Sequence, residues 1–398
     1  MTKSAGMRDV AQLAGVSVGT VSNVLNRPDA VAPGTRARVQ AAIAELGFVR
    51  SESARLLRAG SSQVLVLLAL DLADPFFVGV LRGAESAARA ADLGVLVMDS
   101  ASSAASEATH LAMLARQRVR GVLVTPADVS GATLAQFGRA RIPYVLVDRD
   151  IPGGTGCRVL VDDVAGGAMA VAHLIAAGHR RIAYVAGPME LPQYRDRLEG
   201  ARLAVAEAGG GSGDAGGDAG GGGGRGGEGS GSGGAGGVGG NGGDVSETGS
   251  SGGSGVELIV LPGCAQGDVA AGRDAAARML GLPERPTGVF CGNDLIALGM
   301  LQGLFAAGVS VPRDVAIVGY DDLEVAAAAV VPLTSIRRPA ARVGRAAAEI
   351  LLEESGAAAG EHVHRELVFQ PELVVRASSL APAPHVPAPN VPAQSPGT

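Results

Sequence analysis

Hydroxyl, amide and guanidinium groups crowd the first 60 residues, whereas the usual bond-breaking constellations are missing along the whole chain. The run Asp9-Val10-Ala11, Ala14-Gly15-Val16-Ser17, Thr20-Val21-Ser22, Val24-Leu25-Asn26 reads as two short helices about a tight turn. Ala11 and Ala14 are small enough to let the helices approach, Gly15 frees the turn and Ser17 can cap the second helix. Ser17, Thr20 and Ser22 then offer hydroxyls of the kind that bind phosphate oxygens. An ordinary helical hairpin with polar caps has the same spacing. Lys3 is the only lysine, so there is no Gly-x-x-x-x-Gly-Lys phosphate loop and no buried Schiff-base lysine. The six histidines show no metal-ligand spacing: His362 and His364 alternate like exposed strand residues. His173 and His179, on a helix and in its following turn, have no Ser or Cys partner motif. Cys157, Cys264 and Cys291 are scattered and odd in number, fitting neither a disulfide framework nor a zinc pattern. They read as small buried hydrophobes, and no enzyme chemistry, metal or cofactor is expected.

The elements that must position these groups fall into two styles. Residues 1–60 carry eight Lys/Arg against four Asp/Glu within a chain of net charge −6, a basic head on an acidic body. The head reads as helices over Arg8–Ala14 and Val18–Asn26, the second with an apolar face of Val18, Val21, Val24 and Leu25. A third, opened by Pro33 after the poor cap Ala32, runs to Leu46 before Gly47. Ser51–Gly60 is a further helix-compatible segment. From Val64 apolar strands alternate with Ala-rich helices, which implies parallel sheets covered on both faces. Strands are expected at Val64–Leu70, Val95–Met98, Val122–Thr125, Tyr144–Val147, Arg158–Val161, Ile182–Ala186, Leu258–Leu261, Val289–Cys291 and Val315–Gly319. About nine strands exceed one open sheet and suggest two similar lobes. Residues 209–255 hold 27 of the 61 glycines and cannot bury enough apolar surface to offset their ordering entropy, so a disordered insertion is expected there. A Pro/Ala-rich tail at 379–398 is expected to be disordered too. No apolar run reaches membrane length. The start MTKSAGMRDV has no apolar signal segment, which points to the cytoplasm.

The hairpin run, with Asn26-Arg27-Pro28 and the stretch Thr35 to Phe48, resembles the head of the LacI/GalR repressor family. Ordered matches continue at Ala54-Arg55, Leu57-Arg58, Asp74-Pro75-Phe76-Phe77, Arg120 to Val124, Ile142 to Arg149 and His173 to Ala183. They go on through Arg195 to Gly200, Asn293-Asp294, Val315 to Asp322 and Leu333 to Ile336. The resemblance implies an all-α helix-turn-helix head (1–50) and a hinge helix (51–61). These lead to a two-lobed, doubly wound α/β domain like periplasmic binding proteins (62–378). Lobe one would take about 62–161 plus 313–339, and lobe two about 162–312 plus 340–378. The implied function is a sequence-specific transcriptional regulator, a repressor, working as a homodimer on a pseudo-palindromic operator in double-stranded DNA. Its effector would be a sugar, with a nucleoside or purine as second choice.

By matched position, Val18, Gly19 and Asn23 would face base edges in the major groove. Ser17, Thr20, Ser22 and Asn26 would lie on the same DNA side, with Arg36 on phosphates. Gly19 has no side chain where the family often places a larger polar residue, and Val18 offers only apolar contact, so Asn23 is the expected hydrogen-bonding reader; a solvated helix position is its ordinary alternative. Leu57 matches a minor-groove wedge flanked by Arg55 and Arg58 on phosphates, with packing inside a linker helix as the other possibility. Arg50 and Ser51 depart from the family's usual Pro and Asn. For the effector, Arg197 offers a planar fork, Asp294 a hydroxyl or amine acceptor, Phe76 a stacking face and Arg149 a further cation. A surface arginine or a capping Asp is the competing role. Gly267-Asp268-Val269 lacks the aromatic that often follows there, removing a second stacking wall.

Overall fold

The alternation of apolar strand and Ala-rich helix is borne out in a computed structural model. It describes residues 5–48, 62–210 without 129, 133, 152 and 155, then 248–249, 255–261, 267–356 and 362–380. Contacts divide the chain into two units, Met1–Ser62 and Gln63–Thr398.

In the first unit, α1 (Met7–Ala14), α2 (Val18–Asn26), a single 3-10 turn (Pro28–Ala30) and α3 (Pro33–Leu46) close on a small core. Gly15 ends α1 with φ of +64°, a left-handed conformation that side chains disfavour. Ser17 Oγ accepts from the Thr20 amide at 3.0 Å, a cap worth about 1 kcal/mol. Ala32 contributes no side-chain cap to α3, and Pro33 starts that helix. Val10, Ala11, Ala14, Val21, Val24, Val39 and Ala42 form the core. Val18 does not join them: it is 39% exposed. At about 100° per residue it lies roughly 60° round from Val21, at the edge of the apolar stripe and in the first turn.

The second unit holds two sheets. The first orders β12 (Glu366–Phe369), β5 (Cys157–Val161), β4 (Tyr144–Val147), β3 (Gly121–Val124), β1 (Val64–Ala69) and β2 (Gly94–Asp99), all parallel. The second orders β13 (Glu372–Val374), β11 (Thr334–Arg337), β10 (Ala316–Asp321), β9 (Gly288–Cys291), β6 (Arg181–Val185), β8 (Glu257–Leu261) and β7 (Thr248–Gly249). Only its two edge strands, β13 and β7, pair antiparallel. Helices α4 (Phe76–Ala90) and α12 (Ala340–Glu354) pack together on the first lobe. On the second, α7 (Asp163–Ala176) packs on α8 (Pro192–Gly210), and α9 (Val269–Leu280) on α10 (Asp294–Ala306). Helices α5 (Ala104–Gln117), α6 (Ala135–Ala140) and α11 (Glu324–Ala327) complete the described set.

Two expectations change. The C-terminal pieces exchange lobes: β10 and β11 belong to the second sheet, whereas α12 and β12 return to the first and β13 to the second. The chain therefore crosses between lobes near Asp162, Arg338 and Gln370. Strand length and apolar pattern are the same in both sheets, so only the pairing partner decides membership. Strands β11, β12 and β13 were not anticipated, being short, and β12 and β13 are partly exposed. In the glycine-rich tract, α8 continues to Gly210 and Thr248–Gly249 pairs with β8. The rest of that tract, the hinge segment with Arg55, Leu57 and Arg58, and the tail beyond Leu380 lie outside the described residues. Among the described residues no helix is long and apolar enough to cross a membrane.

Candidate functional site

The head presents one face of α2 to solvent. Val18, Gly19, Asn23 and Asn26 are exposed there, with Thr20 and Ser22 half-buried, while Val21 and Val24 point into the core. The Ser17 and Thr20 hydroxyls bond each other at 2.9 Å. Asn26 donates to the Ser22 carbonyl at 2.7 Å and to its hydroxyl at 3.1 Å. These pairs fix the rotamers on either side of Asn23, which is placed to project from the middle of the face. Arg36 is half-buried and 3.8 Å from fully exposed Asp29, a contact that solvent screens and a phosphate could replace.

In the larger unit a cavity of about 520 Å³ lies between the lobes. The loop after β1 supplies Leu70, Asp71 and Asp74, the first turn of α4 supplies Phe77 and the loop after β2 supplies Ser102; the facing lobe supplies Glu190, Gln193, Tyr194, Asp268, Asn293 and Asp321. Strand C-termini of open α/β sheets place such loops at one crevice. Among the described lining residues five are carboxylates and none is basic. Most carboxylates are pre-oriented: Asp71 accepts from the Ala73 amide, Asp74 from Phe76 and Asp268 from Ala271. Asn293 caps α10 through the Ile296 amide and donates to the Gly267 carbonyl at 2.8 Å and the Tyr194 hydroxyl at 3.3 Å.

A buried charged layer lies against this lining. Arg338, at the second crossing, donates to Asp321 at 2.7 Å and to both Asp148 oxygens at 3.1 and 3.2 Å, and lies 3.6 Å from Asp74. It thereby ties the first lobe (Asp74, Asp148) to the second (Asp321). Burial pushes Asp148 up to about 6 and Asp321 up to about 7, with Arg338 working against both shifts.

The four effector candidates stand in or beside this layer, and none lines the cavity. Arg197 is 2% exposed, pairs with Asp163 at 3.0 Å, donates to the Gly292 carbonyl and lies 3.7 Å above the Tyr320 ring. Its buried Nη2 has no acceptor among the described residues, a cost that a water or a ligand hydroxyl would relieve. Asp294 is fully buried, accepting from the Leu323 amide and the Ser335 hydroxyl, both at 2.7 Å. Burial pushes it up to about 8, with Asp321 adding to the shift. Phe76 is buried, and the Arg338 guanidinium covers its ring at 3.7 Å. Arg149 bridges the Pro126 carbonyl at 2.7 Å and Gln193 at 3.4 Å, one partner on each lobe.

None of the lining residues was singled out from the sequence as an effector contact, and Tyr194 is the aromatic among them that packs closest to the backbone. Its ring fills the space that side chains would occupy at Gly187 and Gly292, where a Cβ would come within 2.4 and 2.8 Å of it. An aromatic thus stands against the cavity although position 269 is Val. The signal was present: Gly187 and Gly292 each follow a strand end, the place where a ring can lie flat on backbone.

Comparison with known proteins places this arrangement. Residues 6–51 match "Bacterial regulatory proteins, lacI family". Residues 61–212 match "Periplasmic binding proteins and sugar binding domain of LacI family", and 253–379 a "Periplasmic binding protein-like domain". The HTH-type transcriptional repressor PurR of Vibrio campbellii is 32% identical over 94% of this chain and 98% of its own. The chain belongs to the LacI family. Its LacI-family relatives include PurR of Vibrio parahaemolyticus, 31% identical over the same shares. A solved complex of the transcriptional regulator CelR with cellobiose is 30% identical, with TM-score 0.60 over 94% of this chain and 99% of that one. The lac repressor dimer bound to operator shares the fold, with TM-score 0.74 at 24% identity over 95% of this chain and 100% of that one. As a LacI-family member the chain is a DNA-binding transcription regulator: a helix-turn-helix head with a two-lobed α/β body. The two body matches leave 213–252 between them, inside the glycine-rich tract.

Proposed function

We propose that this LacI-family regulator is a cytoplasmic repressor. It reads a pseudo-palindromic operator as a homodimer and responds to a neutral polyhydroxylated effector, a sugar, held between its lobes. The observation that carries the effector class is the cavity lined by five carboxylates and no cation. Carboxylates accept strong charge-assisted hydrogen bonds from hydroxyls, whereas a phosphorylated or carboxylated ligand would find no basic side chain among the described lining residues to pair with. The cellobiose bound by CelR supports the same class. Tyr194 and Phe77 supply apolar surface for a sugar face, and Gln193 and Asn293 supply amides. Arg197 and Asp294 act from behind the lining, Arg197 through its unpartnered Nη2 and Asp294 by holding the start of α10 against β10 and β11. Effector binding would shift the spacing of the lobes that Arg338 joins, and so the affinity for DNA.

A thermal-shift screen of the full chain against neutral sugars, sugar phosphates, purine bases and nucleosides tests this. Stabilisation by an uncharged sugar alone is expected, followed by a change in gel-shift affinity for a site selected from random DNA. Stabilisation by sugar phosphates, or by purines in place of sugars, would overturn the effector class.

A further inference from the structure

At the end of the first sheet away from the cavity, four side chains from three parts of the chain converge. Cys157 opens β5, Glu354 closes α12, and His362 and His364 stand just before β12, the strand that pairs with β5. Cys157 Sγ lies 3.0 Å from His362 Nε2 and 3.6 Å from His364 Nδ1, across 205 and 207 residues of sequence. One donor atom from each of the four lies within 4.8 Å of all the others. The two imidazoles meet edge to face, with centroids 5.5 Å apart. Glu354 Oε2 is sealed from solvent and has no hydrogen-bond partner among the described residues.

We propose that Cys157, Glu354, His362 and His364 form a binding site for a zinc-class divalent metal ion. One thiolate, two imidazoles and one carboxylate make a four-donor set suited to tetrahedral coordination. With bonds of about 2.0–2.3 Å, the donors of such a site sit about 3.3–3.8 Å apart, against 3.0 and 3.6 Å from Cys157 Sγ to the two imidazoles and no more than 4.8 Å between any two of the four donors. Soft sulfur and imidazole nitrogen select zinc, cobalt or nickel over calcium or magnesium. The ion gives the orphaned Glu354 oxygen a partner. Burial pushes both the Cys157 thiol and the Glu354 carboxyl up; a dication reverses that preference, and on binding the thiol releases its proton as the sulfur–metal bond forms. The Arg365 amide points at Cys157 Sγ at 3.4 Å, an outer hydrogen bond that would orient the thiolate. Cys157 is buried, Glu354 and His362 half-buried and His364 exposed, which leaves a path for the ion. A metal here would staple the edge strand β12 to β5 and to the end of α12. Spacing along the chain hid the site, because its ligands are neighbours only across a sheet edge.

The test uses the full-length chain, freed of any histidine tag and stripped with chelator. Calorimetric titration should show one zinc per chain at micromolar affinity or better, with a rise in Tm. Cobalt should produce a thiolate-to-cobalt charge-transfer band in the near ultraviolet that Cys157→Ser abolishes. Since Cys157 is buried, His364→Ala at its exposed position is the decisive variant: circular dichroism should be unchanged and zinc affinity about tenfold or more weaker. Absence of zinc binding, or unchanged affinity in His364→Ala, would overturn the site. Neither result bears on the effector cavity.

Discussion

Asn23 stands exposed on α2 one turn beyond Gly19, which leaves it the polar side chain best placed to meet a base edge. Asn23→Ala should lose about 1–3 kcal/mol of discrimination at one base pair of the selected operator, with an unchanged salt slope. Fluorescence anisotropy on operator variants measures this; a uniform loss over all sequences would demote Asn23 to a backbone contact. Leu57→Ala should remove specific affinity and spare salt-sensitive non-specific binding, and an equal fall in both would reject the wedge. Asp294 makes a prediction about pH. With its pKa pushed up to about 8 by burial, the folded protein binds more protons than the unfolded chain between about pH 4 and 8. Its contribution to stability is therefore complete below the ordinary carboxylate value and disappears as pH rises through 8. Asp321 and Asp148, also pushed up, act in the same direction. Urea midpoints should fall from pH 5 to pH 8, and Asp294→Asn, which resembles the protonated acid, should flatten that slope. A midpoint that rises over this range would contradict the assignment.

The crossings near Asp162, Arg338 and Gln370 are where the two lobes become one unit, and Arg338 joins the lobes by pairing with Asp74 and Asp148 on one and Asp321 on the other. Arg338→Met would leave Asp321 and Asp148 buried without their cation, costing about 3–5 kcal/mol at neutral pH. Chemical denaturation should show that loss, and acidification toward pH 5 should recover part of it as the carboxylates protonate. A loss below about 1 kcal/mol would mean that water already serves these groups. Strands β1 to β6, strands β8 to β10 and the head helices were legible because each has a local signature: an apolar run, a cap, a Gly or Pro stop; β7, two residues inside the glycine-rich tract, has none. Edge strand β12 was not, since Glu366 and Val368 are exposed and its four residues mimic a loop.

For the molecule as a whole, the glycine-rich tract interrupts the second lobe between α8 and β8. Its only basic residue, Arg225, faces Asp214, Asp218, Glu228, Asp244 and Glu247 in composition, so it suits neither DNA nor a core. Replacing 211–247 by about five residues should leave operator and effector affinities intact and leave Tm unchanged or slightly higher. Loop closure grows only as the logarithm of length, about 1–2 kcal/mol here. A shortened protein that folds yet loses effector response would instead assign the tract to the cavity.

Sequence alone determined the class of the head, the two-lobed α/β body and the family, because periodicity, caps and ordered motifs act over a few residues at a time. The tertiary structure decided what depends on distant partners. It assigned β10 and β11 to the second sheet and α12 and β12 to the first. It placed Arg197, Asp294, Phe76 and Arg149 in or beside the charged layer and put Asp74, Gln193, Tyr194 and Asn293 on the cavity wall. It also brought Cys157 beside His362 and His364. A charged residue at a strand end can face a ligand or a buried counter-ion, and only the packing of the opposite lobe chooses between them.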